Sequence, residues 1–588
     1  MDMYSFYTGS SFDAYEYLGA HIKGYGVVFR TYAPNAEKVS VLHNGIELPM
    51  QQIYDGNFYE LYVENAASGD LYEYRIYHQN GRYTDHSDPY GFLMELRPDH
   101  RSLVWDHAGF TFHDGPWMKN RGTMLDGPLN IYELHLGSWK KKPDGTWYRY
   151  DELAEPLAAY LKKAGYNYVE FMPICEHPTD ESWGYQNTGF YAPTSRYGTP
   201  TLLKQLIDTL HKNGIGVLLD FVPVHFAVDP YALAQYDGSA LYEYPHQDVG
   251  VSEWGSYNFI HSRGEVRSFL QSAANYWLQE YHFDGLRMDA ISRIIYWQGD
   301  ERRGENGNAV DFIKVMNRGL KERNPGCILI AEDSTSYPNV TLDVDRGGLG
   351  FDYKWDMGWM HDTLEYFQSL PKERTAKYHK LTFSMMYFYN EHYLLPFSHD
   401  EVVHGKATIL NKMNGQYEDK FPQARAMYLY MMIHPGKKLS FMGNEIGQFR
   451  EWDENREQDW NLRKYPAHDS FYTFMAELNQ VYLTHSALWA DDYSRAGFQW
   501  LDCHQEEKCV YMIERRSKGE KIIAAFNFGS QEQTAAINPS GTQLTVLLDT
   551  DWEKYGGRTP EQQMKAVAQK DFITLSLAPF SGMLIASH

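Results

Sequence analysis

The sequence predicts a multidomain protein in which a central (β/α)8 TIM barrel is flanked by an N-terminal and a C-terminal antiparallel β-sandwich. The chain has 588 residues, more than one hydrophobic core accommodates. Short alternating strands occupy both ends of the chain, whereas its middle alternates apolar strands with long amphipathic helices. We therefore expect an N-terminal sandwich over 1–112, a linker over 113–127, the barrel over 128–490 and a C-terminal sandwich over 491–588.

The first 112 residues alternate apolar and polar side chains with a period of two, and turn signals separate the runs. This pattern is typical of a small antiparallel sandwich. No acid–base spacing occurs there, so we expect a binding or structural module. The predicted strands are Gly26–Tyr32, Lys38–His43, Phe58–Val63 and Leu71–Tyr77.

From about residue 128 the pattern indicates βα units and a parallel sheet. Eight units suggest a closed barrel, in which the chemistry lies at the carboxyl ends of the strands. The predicted strands are Asn130–Leu136, Tyr168–Met172, Gly216–Asp220, Gly285–Asp289, Ile328–Glu332, Phe351–Trp355, Tyr393–Pro396 and Lys438–Phe441. Predicted helices are Leu153–Ala164, Thr201–Asn213, Val266–Tyr281, Val310–Arg323 and Gln423–Ile433. The long connection 221–264 is expected to fold over the mouth of the barrel.

Strand alternation returns near the C-terminus, again without a chemical motif. It predicts a second sandwich with strands at Phe498–Leu501, Val510–Arg515, Lys521–Phe528, Leu544–Leu548 and Phe572–Leu577.

The net charge and the aromatic content of the chain indicate which classes of binding partner to expect. Lys plus Arg is 54 and Asp plus Glu is 77, a net charge of -23 that repels phosphate backbones and anionic lipid. We therefore expect no nucleic acid and no membrane partner. Aromatic residues make up 16% of the chain, and flat rings with polar edges suit the apolar faces of sugars, although most rings pack in cores.

The few cysteines indicate a reducing compartment. No pair has zinc spacing, and although Cys503 and Cys509 flank a predicted hairpin turn, buried reduced thiols are the favoured interpretation. The first residues, MDMYSFYTGSSF, lack the basic and apolar regions of a signal peptide, and no apolar run is long enough to span a bilayer. These features predict a cytoplasmic protein.

The stretch HFDGLRMDAI, His282–Ile291, contains the first chemical signal. On a strand, Arg287 and Asp289 point to the same side, because side chains alternate between faces. An Asp held by an Arg stays ionised and suits covalent nucleophilic catalysis. An ordinary buried ion pair would give the same pattern, so this stretch alone leaves both interpretations open.

Other polar residues also lie at strand ends. They are Asp220 and His225 after the third strand, Glu332 at the end of the fifth, and His399 and Asp400 after the seventh. Any one of them alone is more commonly structural. Several carboxylates, an Arg and two His converging on a barrel mouth favour a catalytic site.

Grouped carboxylates push one another's pKa values apart, as the cleavage of glycosidic bonds requires. The Arg assigns the ionised role to Asp289, whereas Glu332, which we expect to have no adjacent cation, becomes the candidate acid. Asp400, His399 and His225 are expected to bind sugar hydroxyls. A separation of about 5–5.5 Å between Asp289 and Glu332 would predict retention of anomeric configuration.

Four short stretches, DFVPVHF, DGLRMDAI, AEDS and SHDEVVHGK, resemble the conserved regions of the α-amylase superfamily of glycoside hydrolases and transglycosylases. Longer stretches are similar to the 1,4-α-glucan (glycogen) branching enzymes. They are NIYELHLGSW, SWGYQNTGFYAPTSRYGTP, GGLGFDYKWDMGWMHDTL and FMGNEIGQ. The resemblance covers nearly the whole barrel in order, and the two ends resemble the glycan-associated and all-β domains of that family.

The resemblance implies the roles of individual residues. It makes Asp289 the nucleophile, Glu332 the acid/base and Asp400 the transition-state stabiliser. It places Tyr185, Asp220, His225, Arg287 and His399 around the donor sugar, with Tyr185 as a stacking platform. Val224 stands where starch-hydrolysing relatives commonly carry Asn, which weighs against their calcium site, so we expect no metal ion and no cofactor. Phe221, Val224 and Met288 depart from the usual family residues and leave the preferred glucan chain length open.

The function that the resemblance implies is transglycosylation on an α-glucan polymer, in which an α-1,4 bond is cleaved and the segment is rejoined through an α-1,6 bond. We separately expect a monomer. The alternative is an α-glucan hydrolase of the debranching or trehalose-releasing type. A third possibility, a catalytically inactive glycan-binding scaffold, is disfavoured by the complete carboxylate trio.

Overall fold

A computed structural model of the protein describes residues 1–122, 125–538, 543–561, 566–568 and 572–587. Within them, eight parallel strands form a closed barrel in sequence order. The barrel strands are β1 (Asn130–Leu134), β2 (Tyr168–Phe171), β3 (Gly216–Phe221), β4 (Gly285–Met288), β5 (Ile328–Ala331), β6 (Tyr353–Trp355), β7 (Tyr393–Phe397) and β8 (Lys437–Phe441). Together with the flanking β domains, this confirms the predicted fold class.

Long helices connect most of the barrel strands, and apolar faces bury them against the sheet. They are α1 (Tyr150–Ala164), α2 (Pro200–Lys212), α3 (Gly264–Glu280), α4 (Gly307–Arg323), α5 (Met357–Gln368), α6 (Tyr417–Ile433) and α7 (Pro466–Thr484). Short helices are Met3–Thr8, Gly115–Asn120, Leu136–Trp139, Gln247–Gly250, Ser292–Ile295, His379–Thr382 and Ser384–Tyr387. The helix predicted as Gln423–Ile433 begins earlier than expected, at Tyr417, and contains Pro422 in its interior.

The N-terminal domain is a sandwich of two antiparallel sheets. One sheet has the strand order Gly19–Lys23, Gly26–Tyr32, Phe58–Glu64 and Gln51–Ile53. The other has the order Ile46–Pro49, Lys38–His43, Leu71–Tyr77 and Tyr83–His86, with Ser102–Leu103 paired to Leu71–Tyr77. The four strongly alternating strands were predictable, whereas the short edge strands carry too few residues for a periodic signal.

The C-terminal domain also consists of two antiparallel sheets. The larger sheet has the order Phe498–Gln505, Val510–Ser517, Glu520–Asn527, Ser581–Ser587 and Leu544–Asp549. The smaller has the order Gln533–Ile537, Ile573–Leu577 and Ala566–Ala568. Side chains of both sheets share one apolar core, which includes Met512, Ile523, Leu575 and Ile585.

The chain divides into two compact units. The first comprises residues 1–122, 135–158 and 171–351 and contains the N-terminal sandwich with β3, β4 and β5. In this unit the N-terminal helix lies on α3, where Ser268 Oγ donates to the Phe6 carbonyl (2.9 Å) and Gln271 Nε2 donates to the Gly9 carbonyl (3.0 Å). These buried bonds attach the sandwich domain to the barrel helix that precedes β4.

The second unit comprises the described residues of 123–134, 159–170 and 352–588. At the start of β8, Lys437 Nζ lies 3.0 Å from Asp492 Oδ2, and Arg515 Nη2 lies 2.6 Å from Asp492 Oδ1. All three side chains are fully buried. Because a buried charge needs a partner, this triad ties the barrel strand to the C-terminal sandwich.

Two connecting segments contain structure that the sequence pattern did not indicate. The predicted linker 113–127 contains the helix Gly115–Asn120, while its residues 123 and 124 lie outside the described part. In the long segment 221–264, His225–Phe226 pairs with Tyr257–Asn258. The same segment reaches the N-terminal sandwich, where Tyr236 and Thr31 hydroxyls are 2.6 Å apart. The expectation that this segment covers the barrel mouth stays a prediction.

All four cysteines are free thiols; three are buried and Cys503 is half-buried. No helix among the described residues combines the length and apolar character needed to cross a bilayer.

Gly285 begins β4 and has no room for a side chain. A Cβ atom there would lie 2.1 Å from the Ile328 carbonyl oxygen of the neighbouring strand. We therefore expect Gly285→Ala to lower the free energy of unfolding by about 1–3 kcal/mol, because the backbone must shift to relieve the overlap.

The measurement is urea denaturation followed by circular dichroism. Gly307→Ala is the matched control, because a Cβ atom at Gly307 meets nothing within 4 Å. Equal midpoints for the two variants would contradict the close packing of β4 on β5.

Candidate active site

Three neighbouring strands, β3, β4 and β5, position the central side chains. Asp220 on β3 is the register partner of Arg287 on β4. The pairing continues past the strand ends, where the Asp289 amide donates to the Phe221 carbonyl (3.0 Å) and the Glu332 amide donates to the Met288 carbonyl (3.0 Å). Asp289 and Glu332 therefore leave adjacent strands at the same level, as expected for residues at the carboxyl end of a barrel.

The Arg287 guanidinium is the centre of this group. Its Nη1 donates to both carboxylate oxygens of Asp220 (2.8 and 2.9 Å) and to Asp289 Oδ1 (2.7 Å). Arg287 and Asp220 side chains are each 1% exposed, whereas Asp289 and Glu332 are each 16% exposed. The guanidinium thus lies below the surface while the two carboxylates above it stay within reach of a substrate.

Asp220 is the buried carboxylate that pairs with the Arg287 guanidinium. Burial raises the pKa of Asp220, the adjacent Arg287 charge opposes that rise, and the Asp289 carboxylate adds to it. Tyr185 donates its hydroxyl to Asp220 Oδ2 at 2.5 Å. This bond holds the Tyr185 side chain beside Asp220, and the role of Tyr185 as a stacking platform stays a prediction.

Glu332 differs from the prediction in its surroundings. Its Oε2 lies 4.0 Å from Arg287 Nη2, so the expectation that Glu332 has no adjacent cation is wrong. Neighbouring strands place it beside the second nitrogen of the same guanidinium that bonds Asp289. Glu332 Oε2 also accepts from the Ala290 amide (2.7 Å). Asp289 still makes the shorter contact with Arg287, so the two carboxylates have different surroundings.

Ala290, which follows Asp289 and donates its amide to Glu332, has a left-handed backbone with φ of 47°. A non-glycine residue in this region is strained by about 1–3 kcal/mol. In this conformation the Ala290 amide donates to Glu332 Oε2. Strain of this kind is typical of sites where backbone geometry serves binding or chemistry.

His225 lies under an aromatic ring of the long segment. Its ring centre is 5.4 Å from that of Trp254, and the Arg293 guanidinium lies 5.0 Å from the Trp254 ring. Burial, with a smaller contribution from Arg293, lowers the pKa of His225 to about 4. The imidazole is therefore neutral at neutral pH and able to donate a hydrogen bond to a sugar hydroxyl.

His399 and Asp400, in the second unit, follow β7. His399 Nδ1 lies 2.5 Å from Glu133 Oε1, and the His399 amide donates to Glu133 Oε2 (2.9 Å). His399 Nε2 lies 3.4 Å from Asp400 Oδ1, and the Asp400 side chain is 51% exposed. Glu133, at the end of β1 and fully buried, holds the imidazole in one orientation beside an accessible carboxylate.

The structure brings Tyr185, Asp220, Arg287, Asp289 and Glu332 into one connected group, and it pairs His399 with Asp400. Sequence reasoning missed Glu133, Ala290 and Trp254. The signal for Glu133 was a lone carboxylate within the mostly apolar strand sequence NIYEL. Nothing in the sequence indicates that Ala290 has a left-handed backbone conformation. Among the described residues, no cluster of His, Cys, Asp and Glu is arranged to hold a metal ion.

Comparison with known sequences identifies the family. The "Alpha amylase, catalytic domain" profile matches residues 154–247 and 255–527. A 1,4-alpha-glucan branching enzyme GlgB of Bacillus caldolyticus is 42% identical over 573 residues, covering 95% of this chain and 86% of that protein. The chain belongs to the 1,4-alpha-glucan branching enzyme family. This confirms the predicted resemblance.

Further matches agree with this family. The branching enzyme GlgB of Bacillus subtilis is 40% identical over 602 residues, covering 98% of this chain and 96% of the relative. "Carbohydrate-binding module 48 (Isoamylase N-terminal domain)" matches residues 17–91, and "Alpha amylase, C-terminal all-beta domain" matches 500–588. Both flanking domains are thus those expected around a catalytic barrel of the branching enzyme family.

Solved structures share the fold. A pullulanase from Anoxybacillus sp. LM18-11, complexed with maltotetraose, superposes with a TM-score of 0.76 at 17% identity, over 99% of this chain and 89% of that chain. A pullulanase from Bacillus acidopullulyticus gives a TM-score of 0.72 at 17% identity, over 97% and 74% of the two chains. At this identity the likeness concerns architecture alone.

Glu133 offers a test of the His399 geometry. We expect Glu133→Gln to lower kcat about 10- to 150-fold, because a hydrogen bond to a charged group contributes about 1.5–3 kcal/mol and the amide permits other imidazole orientations.

The measurement is the initial rate of branching on amylose, with kcat and KM determined separately and the unfolding midpoint recorded. Glu47→Gln, an exposed carboxylate of the N-terminal sandwich, is the control. If kcat of the two variants is the same, the positioning role of Glu133 is wrong.

Proposed function

We propose that Asp289, Glu332 and Asp400 carry out a retaining double displacement at an α-1,4-glucosidic bond. Asp289 is the nucleophile, Glu332 the general acid and base, and Asp400 the stabiliser of the oxocarbenium-like transition state. Tyr185, Asp220, His225, Arg287 and His399 bind and orient the donor sugar. The observation that carries the proposal is the single buried guanidinium that bonds Asp289 and lies 4.0 Å from Glu332.

The reaction class follows from family membership. The chain is a branching transglycosylase that cleaves α-1,4-glucan and re-attaches the released segment through an α-1,6 bond. Its substrate is an α-glucan polymer, as the name of the family states. The hydrolase alternative is not favoured, because relatives at about 40% identity over most of the chain are branching enzymes.

In the first step a carboxylate oxygen of Asp289 attacks the anomeric carbon. The bond from that carbon to the glycosidic oxygen breaks, and the Glu332 proton moves to the departing oxygen, which leaves as the 4-hydroxyl of the reducing-end portion. The hydrogen bond from Arg287 to Asp289 Oδ1 orients this carboxylate for the attack.

In the second step the 6-hydroxyl of an acceptor glucan attacks the same anomeric carbon. Its proton moves to the Glu332 carboxylate, and the Asp289 ester bond breaks to regenerate the enzyme. Two inversions give net retention. Transfer exceeds hydrolysis where a bound acceptor is positioned better than water, which is an effect of proximity and orientation.

Asp400 is proposed as the third carboxylate on three grounds. It follows β7 of the same closed parallel barrel, its side chain is half-exposed, and the Glu133-held His399 lies beside it. A hydrogen-bonding pair of this kind suits two vicinal hydroxyls of a sugar ring.

We also propose that the enzyme is a cytoplasmic monomer. Support for the location comes from four free thiols, which are typical of a reducing compartment. The domain limits of 1–112, 113–127, 128–490 and 491–588 belong to the same proposal.

A trapping experiment tests the assignments of nucleophile and acid. Glu332→Gln incubated with α-maltosyl fluoride is expected to accumulate a maltosyl adduct on Asp289, because fluoride leaves without a proton whereas the second step lacks its base. Peptide mass spectrometry locates the adduct.

Asp289→Asn is the matched control and is expected to form no adduct, with branching activity at least about 10³-fold below that of the unsubstituted enzyme. An adduct on another residue, or turnover by Asp289→Asn at the normal rate, would remove the nucleophile from Asp289.

Amylose distinguishes transfer from hydrolysis. We expect the absorbance of the iodine complex to fall while reducing ends stay constant, because each α-1,4 bond broken is replaced by an α-1,6 bond. Both quantities are followed in one time course. A steady rise in reducing ends in step with the loss of iodine colour would instead indicate hydrolysis.

A further inference from the structure

A cavity of about 510 Å³ lies in the first unit, at the amino-terminal ends of β4 and β5. His282, in its wall, precedes β4, and the lining segment Asn324–Gly326 precedes β5. Asp289 and Glu332 follow the same two strands. The cavity is therefore at the opposite end of these strands from the candidate active site, and the proposed catalytic function does not use it.

The charge of this cavity is opposite to that of the chain. Lys119, Arg121 and Arg323 line it, together with His282, and none of its lining residues in the described part of the chain is an Asp or Glu. The whole protein carries a net charge of -23. Three cations around one cavity of such an acidic chain create a local attraction for anions.

The Arg121 guanidinium has a hydrogen-bond donor that no described residue accepts. Its Nη1 donates to the Phe283 carbonyl (3.1 Å) and lies 3.6 Å from Asp284 Oδ1, while its buried Nε has no hydrogen-bond partner among the described residues. Asp284 is already shared, because it accepts from Trp117 Nε1 (2.8 Å) and contacts His211 Nε2 (2.8 Å). The Arg121 guanidinium thus shares the Asp284 carboxylate with Trp117 and His211.

His211 is a second cation that contacts Asp284. Burial alone would lower its pKa, but the carboxylates of Asp284 and Asp114 raise the pKa of His211 to about 9. The protonated imidazole lies 2.8 Å from Asp284 and 2.7 Å from Asp114. Asp114 and Asp284 together balance the charges of His211 and Arg121, so the positive charge of the cavity comes from Lys119 and Arg323.

We propose that this cavity binds a phosphorylated sugar. The phosphate lies against Lys119, Arg121 and Arg323, since guanidinium and ammonium groups are the common partners of phosphate in proteins. The cavity is larger than one phosphate ion requires, and its remaining wall includes Met118 and Leu278, which suit the apolar face of a sugar ring. The exposed amide of Gln279 is available to the hydroxyls.

Isothermal titration calorimetry with the full chain tests this site. Glucose 6-phosphate is expected to bind saturably and at least about 10-fold more tightly than inorganic phosphate, and glucose alone is expected to give no measurable heat. Affinity should fall as NaCl rises, because salt screens the exposed Lys119 and Arg323.

Lys119→Glu reverses one lining charge and is expected to raise the Kd for glucose 6-phosphate at least about 10-fold. Lys23→Glu, the same charge change on an exposed strand end of the N-terminal sandwich, is the matched control and should leave the Kd unchanged. Arg323→Gln provides a second variant with the same expected direction. Both cavity variants should keep full branching activity, because neither residue contacts the catalytic group.

Three results would overturn the proposal. They are no saturable binding of glucose 6-phosphate, equal affinity for glucose 6-phosphate and inorganic phosphate, or equal weakening by Lys119→Glu and Lys23→Glu. Because branching activity is measured separately, failure here is distinguishable from failure of the catalytic assignment.

Discussion

The buried guanidinium of Arg287 is the constraint on which the active site depends. A charge removed from water is tolerated only with close, well-aligned partners, and breaking such a group costs about 3–5 kcal/mol. Asp220 supplies that partner from the adjacent strand and Asp289 from two residues further along the chain. The strand register of β3 and β4 and the position of the proposed nucleophile are therefore set by one electrostatic requirement.

The residues that orient the catalytic groups are buried, whereas those proposed to react are partly exposed. Arg287, Asp220 and Glu133 are almost inaccessible, so their hydrogen bonds are made without competition from water. Asp289, Glu332 and Asp400 are partly exposed. A carboxylate that reacts with a sugar must be accessible to it. The groups that orient this carboxylate make stronger electrostatic interactions where the local dielectric is low. His399 shows the same arrangement, because its Nδ1 contacts the buried Glu133 and its Nε2 lies near the exposed Asp400.

The accuracy of prediction varied with the length and periodicity of each segment. Gly26–Tyr32, Lys38–His43 and Leu71–Tyr77 begin and end as predicted, because six or seven strand-forming residues bounded by turn signals are a strong signal. Short edge strands such as Gln51–Ile53 were missed because three residues carry no period. The helix Gly115–Asn120 was missed because its stability comes from tertiary contacts, including the bond from Trp117 to Asp284, and not from its own pattern.

The sequence by itself determined the fold class, the family and the identity of the polar residues at the strand ends, because hydrophobic periodicity and short motifs are local properties of the chain. Only the tertiary structure decided which groups share a partner. Arg287 turned out to face Glu332 as well as Asp289, and Glu133, 266 residues from His399 in sequence, turned out to hold that imidazole. Such pairings depend on strand register and on the direction of each side chain. Both are set by packing among distant segments, which no local pattern encodes.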